Sequence, residues 1–153
     1  MPTVEDRLAA MGLTVHEVVP PVAAYVPAVV TGRYVYTSGQ LPFIDGALPD
    51  TGKVGAEISP ERGAELAAIC ALNAIAAVKS VALLETVVRV VKVTCFVASA
   101  PGFTGQPGVA NGASNLLLEA FGDLGAHARS AVGVAVLPLD APVEVELIVE
   151  LAS

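Results

Sequence analysis

SPERGAELAAICALNAIAAVKS (Ser59–Ser80), followed by VVRVVKVTCFV (Val87–Val97), is the stretch whose reading decides the fold. Ser59 ahead of Pro60 and Glu61 is a helix start. A serine hydroxyl caps free backbone N–H groups, proline has the φ of a first helical residue, and a first-turn carboxylate suits the helix dipole. From Pro60 to about Ser80 the spacing sets Leu66, Ile69, Cys70, Asn73 and Ile75 largely toward one packing side. Val87–Val97 is almost wholly aliphatic, the composition of a central strand buried on both faces.

Outward from this pair, residues 3–12 read as a short amphipathic helix, with Val4, Leu8 and Met11 on one side and Gly12 closing it. Val15–Pro21 is an extended lead-in. Ala24–Thr31 is strand-like but contains Pro27, which cannot donate to a ladder and belongs on an edge. Gly32-Arg33 turns it into a second strand, Tyr34–Gln40, making a hairpin. A loop rich in Gly, Pro and Asp covers 41–58. Beyond the central strand, a loop (Ser99–Gly108), a second helix (Val109–Phe121) and two strands (Arg129–Val136 and Val143–Leu151) complete the chain. The order ββαβαββ predicts an α+β fold, one sheet with two helices on one face. Residues 1–21 read as a helix and lead-in, and 22–153 as a single domain.

Hydrophobic residues make up 54% of the 153-residue chain and charged residues only 15%. A monomer of this size would struggle to hide so much aliphatic surface. The longest uncharged apolar helical stretch, Leu66–Val78, falls short of the roughly 20 residues a bilayer requires, so self-association is the better reading. A net charge of −7 argues against nucleic acid as partner, because phosphate binding needs clustered Lys and Arg. The first residues lack the basic flank and apolar run of a signal peptide, and Cys70 and Cys95 sit in no metal-type spacing. The expectation is a cytoplasmic protein with both thiols packed in its core.

From Val93 onward Arg129 is the one fixed positive charge, among Glu119, Asp123, Asp140, Glu144, Glu146 and Glu150. It is either a strand-end arginine in a structural salt bridge, or a planar fork held ready for a substrate carboxylate. Val143–Glu150 alternates, putting Glu144, Glu146 and Glu150 on one face. Glu146 and Glu150 read as solvated, whereas Glu144, nearest the turn, could act on a water as general base or acid. Gly39, in Ser38-Gly39-Gln40, is a bulge or turn, or lets a ligand approach the backbone. Tyr25, Tyr34 and Tyr36 read as core or interface rings. Asn111 is a helix cap or a site residue, and His127 is structural or an acid–base group. With only His16 besides, no His-based metal site is arguable.

Tyr25, Gly32, Thr37–Gln40, Asn73, Val91–Val97, Asn111, Ala128–Val132 (Ala-Arg-Ser-Ala-Val), Leu137-Pro138 and Val143–Glu146 together resemble the Rid (YjgF-like) reactive intermediate deaminases, in older naming L-PSP endoribonucleases. The similarity runs over roughly residues 22–150 in order. It implies a chorismate-mutase-like fold on one mixed sheet, a homotrimer with clefts between subunits, and hydrolysis of enamines and imines such as 2-aminoacrylate to 2-oxo acids and ammonia, without metal or cofactor. By position, Arg129 would bind the substrate carboxylate and Glu144 would orient the attacking water. Tyr25, Ser38, Gly39 and Asn111 would line the cleft. Ala131 stands where cysteine is frequent in the family, His127 where proline is common, and 105–112 looks long, all pointing to a divergent subfamily. The alternatives are a trimeric sensor of a small carboxylate and, with the acidic balance against it, an endoribonuclease.

Overall fold

The computed structural model describes residues 1–18, 21 and 23–153. Its elements are α1 (Val4–Ala10), β1 (Ala28–Thr31), β2 (Tyr34–Thr37), α2 (Pro60–Lys79), β3 (Val87–Ala98), α3 (Gln106–Phe121), β4 (Ala128–Val134) and β5 (Val143–Leu151). They form one mixed five-stranded sheet in the order β1-β2-β5-β3-β4. β3 and β4 run parallel, with α3 in the crossover between them, and every other pair is antiparallel. The last strand in sequence is thus the central one in space.

Local chemistry accounts for the starts. Ser59 Oγ accepts from Arg62 N at 3.1 Å, as its cap position requires. Thr3 and Asp6 satisfy each other's backbone N–H groups in a capping box. The alternation of β5 then divides the sheet: Val143, Val145, Leu147 and Val149 are all buried, on the side that the helices cover. Leu66, Cys70 and Ile75 of α2 and Leu117 of α3 join the same core. Leu8 of α1, fully buried, and Val4 belong to it too. The two long helices touch closely at Gly112, where a Cβ would lie 1.8 Å from the carbonyl oxygen of Ala64, so only glycine fits.

The other face carries Tyr34, Tyr36, Phe96, Glu144, Glu146 and Ile148, and no element of the described residues covers it. Tyr34 and Tyr36 stay exposed there, so they are not core rings within one chain. No helix is long and apolar enough to cross a membrane among the described residues.

Several boundaries differ from expectation. β1 begins at Ala28 rather than Ala24, leaving Pro27 just ahead of an edge strand. β2 ends at Thr37, although Gln40 rejoins the sheet by exchanging backbone hydrogen bonds with Val145 at 2.8 and 3.0 Å. β4 stops at Val134. α3 starts at Gln106, three residues before Val109, so most of 105–112 is helix, not loop. The glycines there suggested a loop, but burial of Val109, Ala110 and Ala113 and the close fit at Gly112 outweigh propensity. The lead-in expected over Val15–Pro21 falls partly on Val19 and Pro20, and the boundary after residue 21 on Val22, all outside the described residues.

Candidate functional site

Arg129 sits on the edge strand β4 in register with Val93, itself paired with buried Leu147. Paired residues share a face, so the guanidinium leaves the sheet on the helix side. There its Nη1 donates to Asn111 Oδ1 at 2.7 Å and to Ser114 Oγ at 3.2 Å. Asn111 and Ser114 lie three apart on α3 and so present one face to it. His127 completes the group, with Nε2 2.9 Å from Ser114 Oγ and Nδ1 2.6 Å from the Gly125 carbonyl oxygen. Arg129, Ser114 and His127, with Leu118 and Ala126, line a shallow open pocket.

The ion pairs among the described residues are Arg33–Glu150, Arg62–Asp50, Arg62–Glu65 and Lys79–Glu5. Arg129 is in none of them, and the structural salt bridge that spacing allowed is not formed. Both hydrogens of Nη1 are taken, whereas Nε and Nη2 donate to nothing among the described residues. That leaves the Nε/Nη2 edge, one of the two faces on which a guanidinium grips a carboxylate with parallel hydrogen bonds.

Glu144 is placed differently. It pairs with Phe96, three residues along β3 from Val93 with no register shift between, so it projects from the opposite face of the sheet. Its carboxylate rests against Gly39: a Cβ on Gly39 would lie 2.2 Å from Oε1. Ser38 is held beside them, its N and Oγ donating to the carbonyls of Pro27 and Val26 at 2.8 and 2.6 Å. Those bonds also tie down the backbone next to Tyr25, a residue that is 57% exposed. Burial, and then the neighbouring charge of Glu146, raises the Glu144 carboxyl above the ordinary glutamate range. A carboxyl shifted in this direction holds a proton more readily than an ordinary glutamate, which suits acid–base work.

The candidates therefore fall into two sets. Asn111 and Arg129 meet at the α3–β4 edge, while Ser38, Gly39 and Glu144 meet at the β2–β5 junction, and one chain does not bring the sets together. Asn111 is no cap, since it lies in the second turn of α3 with its side chain on Arg129. Of the other acids on the Glu144 face, Glu150 is spent on Arg33 at 3.0 Å. Neither thiol offers a nucleophile: burial pushes Cys95 up to about 12 and Cys70 well above the usual thiol range. Sequence reasoning passed over Ser114. Its one signal was the three-residue spacing from Asn111, legible only once the helix was known to start at Gln106. Among the described residues no three His, Cys, Asp or Glu side chains group as metal ligands.

Comparison with known proteins agrees with this fold. Residues 5–151 match the family described as "YjgF/chorismate mutase-like, putative endoribonuclease". Protein TCP17 of Trypanosoma cruzi is 43% identical over 150 residues, covering 97% of this chain and 94% of that protein. The crystal structure of Atu1372 from Agrobacterium tumefaciens, a protein of unknown function, superposes with a TM-score of 0.90 at 42% identity, over 99% of this chain and 94% of that one. A Shewanella oneidensis structure bearing the same endoribonuclease description gives a TM-score of 0.93 at 33% identity, over 97% and 99% of the two chains.

Proposed function

Because this chain belongs to the YjgF/chorismate mutase-like family, we propose that it hydrolyses small 2-imino and 2-enamino acids to 2-oxo acids and ammonia, in clefts that two copies build together. The observation that carries the reading is the arginine fork. Arg129 is tethered through Nη1 to Asn111 and Ser114, has no carboxylate partner among the described residues, and keeps its Nε/Nη2 edge free. A 2-imino acid offers the planar carboxylate that fits this edge.

Glu144 supplies the remaining chemistry. The C2 carbon of an iminium is already electrophilic, so water adds to it once a base accepts the water proton. Glu144 takes that proton and the carbinolamine forms. The same carboxyl then protonates the nitrogen, the C–N bond breaks, and the hydroxyl proton passes to the departing ammonia as the hydroxyl oxygen becomes the 2-oxo group, leaving Glu144 a carboxylate again. An enamine enters the same route after protonation at C3. A carboxyl with a raised pKa suits a proton that is borrowed and returned. Gly39, lacking a side chain, lets the Glu144 carboxylate lie directly against the backbone.

Arg129 and Glu144 project from opposite faces of one sheet, so a cleft holding both takes Arg129 from one copy and Glu144 from the next. The uncovered sheet face is the surface such an assembly would bury, and a closed ring of three is the proposed form. The test is complementation. Arg129→Ala and Glu144→Gln chains, each inactive alone on imines generated in situ by an amino-acid oxidase, are unfolded together and refolded at equal ratio. In a cyclic assembly about a quarter of the clefts then contain both native residues, and about that share of the native rate should return. No recovery on mixing refutes the shared cleft, and full activity of both single variants refutes the deaminase reading.

A further inference from the structure

We infer that Ser114 and His127 are positioning residues for Arg129, forming with the Gly125 carbonyl a one-directional relay that aims the guanidinium at its ligand. The inference rests on the reading of Arg129 as a carboxylate anchor. It begins at the carbonyl oxygen of Gly125, which can only accept. His127 Nδ1, 2.6 Å away, therefore carries the hydrogen. In the neutral ring Nε2 is then an acceptor, and Ser114 Oγ, at 2.9 Å, donates to it. With its one hydrogen committed, the Ser114 oxygen turns lone pairs toward Arg129 Nη1 at 3.2 Å. Every bond points the same way, from guanidinium to hydroxyl to imidazole to carbonyl, and bonds so aligned polarise one another.

The far end of the relay is rigid. A Cβ on Gly125 would lie 2.4 Å from the backbone oxygen of Leu117, so this turn is pressed against α3 itself. Ser114 is 8% exposed on a helix whose neighbours Ala113 and Leu117 are fully buried. Asn111 holds the second Nη1 hydrogen from one turn earlier. The guanidinium is thereby fixed from two points, and its Nε/Nη2 edge presents one orientation rather than several. An anchor ordered before binding loses less entropy when the ligand arrives. Both His127 nitrogens are engaged in this arrangement, which makes it a support and not the proton-transfer group.

The test uses the full-length chain and 2-oxobutanoate as probe, with affinity read by calorimetry and turnover on generated imines. Native protein is expected to bind and Arg129→Ala to lose binding. Ser114→Ala and His127→Leu are expected to weaken affinity by about tenfold, raising KM more than they lower kcat. His127→Gln, whose amide oxygen can accept from Ser114, should recover most of the affinity. The imidazole nitrogen spectrum should report the Nδ1–H tautomer, with the Nε2 signal moving in Ser114→Ala. Native affinity in both Ser114→Ala and His127→Leu, while Arg129→Ala binds nothing, overturns the relay alone. Absence of carboxylate binding by the native chain overturns the anchor and the relay with it.

Discussion

Replacing Gly39 with alanine tests the site at its tightest point. The added Cβ would stand 2.2 Å from Glu144 Oε1, 2.8 Å from Cδ and 3.1 Å from Cγ. Ordinary contact between such atoms begins near 3.4 Å, so the carboxylate tip must retreat by about 1.2 Å. Gly39 is not among the residues with positive φ, so alanine meets no backbone strain there. What yields is the end of a flexible side chain. The expected outcome is a split. Stability should change by less than about 1 kcal/mol, because no buried packing is lost. Turnover should fall about 100-fold, the cost of displacing a catalytic group by roughly 1 Å. Binding of 2-oxobutanoate should persist, since Arg129 is untouched. Urea unfolding, steady-state kinetics on generated imines and calorimetry read the three quantities. A variant that turns over at the native rate would show that the position of Glu144 against Gly39 is irrelevant to the reaction. One that unfolds would show that Gly39 is a packing residue after all.

Two further outcomes follow from neighbouring features. Glu144 has a folded-state pKa above its unfolded one, so the folded protein holds that proton more tightly; its contribution favours folding at low pH and is lost as pH rises from the ordinary glutamate range through the raised value. Glu144→Gln should therefore remove that decline from a stability profile measured across roughly pH 4 to 8 by chemical unfolding, along with a fall of about 100-fold or more in kcat; an unchanged profile would contradict the raised pKa. Gly112→Ala drives its Cβ to 1.8 Å from a backbone oxygen of Ala64, and unlike the carboxylate tip a helix cannot step aside. Unfolding should show a loss of about 3 kcal/mol, the upper end for overpacking, and native stability would mean that the two helices do not approach so closely.

How much was legible beforehand varied with the range of the interaction. Ser59-Pro60-Glu61 announced the start of α2, and the aliphatic run Val87–Val97 announced β3, because capping chemistry and burial on both faces act on consecutive residues. The order ββαβαββ and the single helix-covered sheet followed from those periods. The start of α3 was misplaced: the glycines of 105–112 signal a loop locally, and the reason for Gly112 lies across space, on Ala64. Arg129 and Glu144 stood out by charge and by strand parity, and the residues matching the family set both in one frame.

What the sequence determined by itself was the set of chemical parts: an arginine isolated among acids, a glutamate at the mouth of an alternating strand, a glycine in Ser38-Gly39-Gln40, and a composition rich in apolar and poor in charged residues. Tertiary structure decided how the parts are divided. Residues distant in sequence acquire a common face only through register, and the register of β3 with β4 and β5 sends Arg129 to the helix side and Glu144 to the other. It also decided what Arg129 rests on. The contact of His127 with Gly125 is local, but no spacing rule connects either of them, or Arg129, to Ser114; the hydrogen bonds from Ser114 to His127 and from Arg129 to Ser114 exist because α3 packs over β4.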